Sequence, residues 1–208
     1  MYQHSLALSG FFIRGAISVG ELFVSDELVF GDGLLQAHEA ETQLARDPRI
    51  VLAKSALTSI EKHMCYYSSV RSSPHNYHLL ADSDKQVFVN YLMVPLDGSP
   101  GNEHHEHGLK KHRDHIKENL ERFQDRPRIW NKYSWAANYH NFVCDWIYPN
   151  RKSVRIPPDV LQAHPRRLLS IYKKKGSDLI DRSSHRVVQV GKEVHAEAVK
   201  SLLKKETN

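Results

Sequence analysis

From Phe11 to Gly20 the chain sets Phe11, Ile13, Ile17 and Val19 on one parity and Arg14, Ser18 and Gly20 on the other. That is the period of two of a half-buried strand. Gly15 interrupts it as a bulge would, and this first part reads as a β-hairpin. Leu22-Phe23-Val24 predicts a further strand, Ser25-Asp26 a turn, and Leu28-Val29-Phe30 its continuation, before Gly31-Asp32-Gly33 punctuates the chain. From Leu34 the spacing changes. Leu34, Leu35, Ala37, His38, Leu44 and Ala45 fall near one face of a helix, with Asp32 as its cap and Asp47-Pro48 as its end. Ile50-Val51-Leu52 predicts a short strand.

A loose helical pattern runs from Ser55 to Ser73, and Ser72-Ser73-Pro74-His75-Asn76 marks a loop. Asp82-Ser83-Asp84 reads as a turn ahead of Val87-Phe88-Val89-Asn90-Tyr91-Leu92, which has the β-branched and aromatic content of a strand. The polar stretch 104–124 predicts a long helix with Leu109, His112, Ile116, Leu120 and Phe123 as its apolar stripe. A further helix begins near Asn131. It carries Trp135, Ala136, Tyr139, Phe142, Val143 and Trp146, too apolar to lie free in water, and Pro149 closes it. Pro157-Pro158 marks a boundary. Beyond it the pattern predicts a short helix around 159–175 and a last one over about 192–205, with Val194, Ala198 and Leu202 at helical spacing before Lys204-Lys205-Glu206. The expected class is α+β: an antiparallel sheet with packed helices over 1–150, then a basic, mainly helical extension over 151–208.

With 208 residues, 40% hydrophobic and 25% charged, the chain can bury a core without staples and departs from collagen, coiled-coil and disordered compositions. No run approaches the roughly 20 apolar residues of a spanning helix. Met1-Tyr2-Gln3-His4 lacks the basic-then-apolar opening of a secretion signal. Cys65 and Cys144 stand far apart in no metal-type spacing and read as buried thiols, so a cytoplasmic protein with no membrane partner is expected. Charge is unevenly divided: residues 151–208 hold 14 of the 29 Lys and Arg but 6 of the 24 Asp and Glu, a net of +8 against −3 for 1–150. Such a tail suits nucleic acid or an acidic partner, with a solvated surface as the plainer alternative.

Ile13-Arg14-Gly15-Ala16-Ile17-Ser18-Val19-Gly20, Val29-Phe30-Gly31-Asp32, Ala37, Glu41 and Pro48-Arg49-Ile50-Val51 occur in that order, and together resemble the back half of a class III nucleotide cyclase-like domain. Phe88 to Leu92, the His-rich helix and Lys132 to Asn141 resemble the remainder of a bacterial cyclase-like group, extending the likeness to about residue 150. The resemblance implies a ferredoxin-like, cyclase-type sheet. In such cyclases two aspartates hold two metal ions while a 3′ oxygen attacks the α-phosphate of a nucleoside triphosphate. Both aspartates lie upstream of the matched elements, and Met1 to Gly10 contains no acid. Where the family's asparagine and arginine align, this chain has Leu35 and Glu39, which cannot stabilise developing phosphate charge. The resemblance therefore implies a degenerate or N-terminally truncated member with no catalytic residues of its own. A divalent metal is expected only where a partner completes the site.

Asp32 sits where the family chooses its base and is a candidate nucleotide contact, with helix capping as the alternative. Arg14 is the second candidate, for a phosphate, or else an ion pair with Glu21 or Glu39. Lys132 and His140, expected to face outward from a helix rich in aromatics and amides, are candidate phosphate or nucleic-acid contacts, as are Arg166, Arg167, Lys173, Lys174 and Lys175 in the tail. His104, His105, Glu106, His107, His112 and His115 crowd into twelve positions. His112 and His115, at i and i+3, are candidate metal ligands, with a solvated polar loop as the alternative. Three functions follow: a nucleotide- or partner-binding regulatory module, dimeric through a sheet edge left open by a missing first strand; a nucleic-acid binder using the tail; or a cyclase active only with a partner's aspartates.

Overall fold

The computed structural model describes residues 2–64, 75–93, 103–158, 160, 169–170, 178–181 and 186–189. Its fold is mixed α+β. Strand β1 (Gly15–Ile17) lies parallel to β4 (Ile50–Leu52), with Ala16 opposite Val51. Parallel neighbours need a long crossover, and here it carries a small antiparallel hairpin, β2 (Phe23–Val24) and β3 (Val29–Phe30), followed by helix α2 (Asp32–Leu44). The hairpin expected to begin at Phe11 is therefore not formed. The alternation there marks neither a covered face nor a partner strand: Phe11, Ile17 and Val19 are all exposed. The hairpin of Leu22-Phe23-Val24 with Leu28-Val29-Phe30 is formed, closed by Ser25 N–H donating to Leu28 O at 2.9 Å.

β4 pairs antiparallel with β6 (Val87–Val89), β6 with β5 (Leu79–Ala81), and β5 with β7 (Leu169–Ser170), giving the order β1-β4-β6-β5-β7. The sheet is thus mixed rather than antiparallel throughout, and β1 is an edge. Alternation along the strands sends Val51, Leu80 and Phe88 to one face and Leu52, Leu79 and Val87 to the other. The second face is covered by α3 (Lys54–Met64) through Ala56 and Leu57. A one-turn helix, α4 (His75–His78), leads into β5.

The first face carries the main core. α5 (Glu103–Arg122) and α6 (Pro127–Ile147) form a helical hairpin, the first starting one residue before the expected bound and the second at Pro127, the first helical position that proline favours. His105, Leu109, His112, Ile116 and Leu120 recur along one stripe of α5, and all are buried. From α6, Trp135 and Tyr139 meet Phe88 edge-on with ring centres 5.4 and 5.6 Å away. The amino-terminal helix α1 (Tyr2–Leu8) packs on α5, where Gly108 leaves room for Leu8.

Beyond residue 150 a 3-10 turn (Lys152–Val154) tucks Val154 against α6. Leu169–Ser170 is strand where the sequence predicts a helix around 159–175; pairing with the open edge of β5 outweighs helical spacing. A separate two-stranded ribbon joins β8 (Asp178–Asp181) to β9 (Arg186–Gln189). Strands rather than helices make most of the described part of the extension, and the helix expected over 192–205 lies outside the described residues.

Candidate functional site

The crossover between β1 and β4 has an unusual surface. At its base, Gly33 N–H donates to Glu21 O at 3.1 Å, and the Ser18 hydroxyl donates to Gly33 O. These bonds draw the two ends of the hairpin together so closely that a Cβ at Gly20 would lie 2.9 Å from Gly33 Cα. Gly31 has φ of +142°, and a Cβ there would run into the Glu21 carbonyl. The junction thus needs glycine, which explains the Gly31-Asp32-Gly33 punctuation.

On this base the hairpin pairs Phe23 with Phe30 and Val24 with Val29. Successive strand residues point to opposite faces, so the phenylalanines cover one face and the valines the other. Both faces are open: relative exposure is 53% for Phe23, 52% for Phe30, 64% for Val24 and 45% for Val29. Leu34 and Leu35 continue the apolar surface onto the first turn of α2, and an open groove runs between Phe23, Phe30 and Leu35 with Asp32 on its wall. Of the thirteen exposed large apolar side chains among the described residues, ten fall between Ile17 and Leu35. Monomer patches rarely exceed about 300–600 Å². Around them the charge has one sign: Glu21, Asp26, Glu27 and Asp32 border the hairpin, and no Lys or Arg occurs between Arg14 and Arg46.

The sequence-predicted site residues are dispersed. Asp32 is exposed in the first turn of α2; Gly31 occupies the cap position and no side chain caps it, which corrects the capping expectation while leaving the carboxylate beside the helix's positive end. Arg14 pairs with Glu41 at 2.6 Å, rather than with Glu21 or Glu39, and reaches Ala45 O at 3.5 Å. Nine residues of helix, roughly 14 Å at 1.5 Å each, separate Glu41 from Asp32, so the two nucleotide candidates stand at opposite ends of α2. Lys132 faces solvent as expected, whereas His140 is fully buried. Arg166, Arg167, Lys173, Lys174 and Lys175 lie outside the described residues.

The histidines form a different arrangement from the expected one. His104 and His107 are exposed, but His105 and His112 are buried, because the helix begins at Glu103 and brings them onto the Leu109 stripe. His105 Nε2 donates to Leu92 O at 2.9 Å. His112 and His115 diverge. His115 meets Leu8 O at 3.2 Å, while His112 stacks on His140 with Nδ1 to Nδ1 3.0 Å apart. Among the described residues no group of three His, Cys, Asp or Glu is placed to hold a metal ion, and the candidate ligands His112 and His115 turn to different partners.

The polarity of the buried chain follows from its ends. The Val154 carbonyl can only accept, so His140 Nε2–H donates to it at 2.7 Å and its Nδ1 carries the lone pair. His112 Nδ1–H then donates to that lone pair, and Tyr91 O–H donates to His112 Nε2 at 2.9 Å. Every imidazole atom is satisfied with both rings neutral. Burial holds His112 well below the ordinary histidine range and His140 at about 4, and it pushes the neighbouring Cys144 thiol up to about 12. Nothing here is an activated nucleophile; the network ties α5, α6 and the 3-10 turn together.

Sequence reasoning missed a second buried polar cluster. Arg49 is fully buried, pairs with Asp82 and Asp84, and lies 5.8 Å from the centres of the Phe88 and Trp135 rings. Trp135 Nε1–H donates to Asp82 at 2.6 Å. The only sequence signal was an arginine set among the apolar residues of Pro48-Arg49-Ile50-Val51. The apolar face was missed for the opposite reason: unbroken runs such as Leu22-Phe23-Val24 read as buried strand, and here they are exposed.

Comparison with protein-family models, curated proteins and solved structures finds no match to this chain. Its function is therefore argued from its own surface, and the feature that surface offers is a two-faced apolar hairpin ringed by carboxylates.

Proposed function

We propose that the chain is a binding and regulatory module, a degenerate cyclase-like fold that docks a partner on the hairpin-and-helix face of its β1–β4 crossover and turns over no nucleotide by itself. The observation that supports this reading is the gathering of ten exposed apolar side chains between Ile17 and Leu35. Leaving that surface in water forfeits the principal favourable term in association. The order strand, hairpin, Gly-Asp, helix, strand resembles that of a cyclase-like domain, and Leu35 and Glu39 stand where such a domain would align its phosphate-stabilising side chains. Placing the photo-cross-linker benzoylphenylalanine at position 30 of the full chain tests it. A discrete cross-linked product, lost when Val24 and Val29 are changed to Asp, is expected; a probe that reacts only with solvent would remove the reading.

A nucleotide is the second reading, favoured by one observation: Asp32 lines the same groove as Phe23, Phe30 and Leu35, offering apolar faces for a base and a carboxylate for its amino group. Saturable binding of a fluorescent nucleotide that disappears in Asp32→Ala would support it, and no saturation would set it aside. Nucleic-acid binding has charge alone behind it, since among its candidates only Lys132 is described as exposed.

A further inference from the structure

The docking face carries enough information to choose among occupants. Ten half-exposed large apolar side chains amount to on the order of 1,000 Å², close to the roughly 800 Å² that each partner contributes to a standard stable interface. An open groove runs from Phe23 and Phe30 onto Leu34 and Leu35 of α2. The occupant must be a segment slender enough to lie along the groove that runs from the hairpin onto α2. Charge narrows the choice. Residues 15–45 contain six Asp and Glu and no Lys or Arg, so the same face of a second copy would set carboxylates against carboxylates, and the occupant must bring cations.

The C-terminal end of this polypeptide has that chemistry. The described residues end at Gln189 and the chain continues to Asn208, leaving 19 residues. Within them Val194, Ala198 and Leu202 recur at helical spacing, joined by Val199 and Leu203; residues 192–205 hold four Lys against Glu193 and Glu197, a net of +2, with Lys200, Lys204 and Lys205 gathered at the end away from both acids. The helix their spacing predicts would span roughly 21 Å over fourteen residues at 1.5 Å each, the length needed to run from the hairpin onto the first turns of α2. We infer that the acidic-rimmed apolar face of hairpin β2–β3 and α2 is the dock for the chain's own C-terminal segment, residues 192–205.

This deepens the proposed function and rests on it, and one experiment separates their failures. The full chain carrying benzoylphenylalanine at position 30 is irradiated, digested, and its cross-linked peptides are sequenced by mass spectrometry. Attachment within 192–205 is expected, with a yield that falls at least fivefold in Lys200→Glu/Lys204→Glu/Lys205→Glu and recovers when Glu21, Asp26 and Glu27 are changed to Lys in the same chain. Raising the salt concentration to 1 M lowers the wild-type yield, as screening of an exposed pairing requires. Far-ultraviolet circular dichroism matching the wild type confirms that each variant is folded before its yield is read. Attachment to residues 17–35 of a second copy, or to any other segment, overturns the inference while leaving the docking module standing. Absence of any attachment removes both.

Discussion

Arg49 shows what a single residue can hold in this molecule. Its guanidinium has no exposed surface, answers two carboxylates, and lies beside the Phe88–Trp135 ring pair. Removing one partner of such a pair strands a buried charge, so Asp82→Ala is expected to cost about 3–5 kcal/mol, read as a shift of the urea midpoint at unchanged slope. Trp135→Phe takes away the indole donor and leaves a small cavity where its second ring packed, and is expected to cost about 1–3 kcal/mol. The stacked histidines add a dependence on pH whose sign is fixed by burial. In the unfolded chain both titrate near 6.5, whereas folded His140 does so at about 4 and folded His112 also below its ordinary range. Stability from this pair is complete above pH 6.5. As pH falls, the unfolded state takes up protons that the folded state refuses, and each imidazole contributes a loss of about 1.4 kcal/mol per pH unit until its folded form titrates. Urea midpoints measured from pH 7.5 to 4.5 are expected to fall along that line, and His140→Gln is expected to lessen the slope. None of these partnerships is legible in the sequence, because Arg49 and Asp82 are 33 residues apart and His112 and His140 are 28 apart. Only the fold brings them together.

Among the elements, legibility followed the length of the pattern. α2, α5 and α6 carry several turns of helical spacing, and the sequence places them within a few residues of where they lie. Ile50-Val51-Leu52 and Val87-Phe88-Val89 were recognised as strands because they are short, apolar and β-branched. The partner of β1 was not legible, since a three-residue strand says nothing of a neighbour beyond a crossover of some thirty residues. β7 was misread as helix for a related reason: two paired residues leave no period. Glycines separate two kinds of junction. Gly31→Ala places a side chain against the Glu21 carbonyl at a positive φ, and a loss of about 1–3 kcal/mol is expected from thermal melting. Gly15→Ala meets nothing nearer than Ile50 at 3.7 Å, and the melting temperature is expected to stay within a degree or two or to rise slightly, as alanine in a strand often allows.

At the scale of the whole molecule, apolar exposure and charge are both segregated. From Gln36 to Val160 no large apolar side chain whose burial is described is exposed, so that stretch is a conventionally covered core while the early crossover is not. Phe23→Asp/Phe30→Asp sets two carboxylates directly opposite one another on paired strands and is expected to cost about 1 kcal/mol, read as a shift of the urea midpoint. The basic excess beyond residue 150 and the acidic stretch of 15–45 were both legible in composition. Their complementarity acquired meaning only once the acidic stretch proved to border an open apolar face.

The contact of Gly20 with Gly33 gives the hairpin coincident ends, so that the excursion leaves and rejoins the framework at one point. Material grafted between those ends imposes no change of span on β1 or α2. Exchanging residues 21–30 for the corresponding arm of another such chain should transfer the donor's choice of partner while the host's melting temperature stays in place, making recognition an interchangeable part of this architecture.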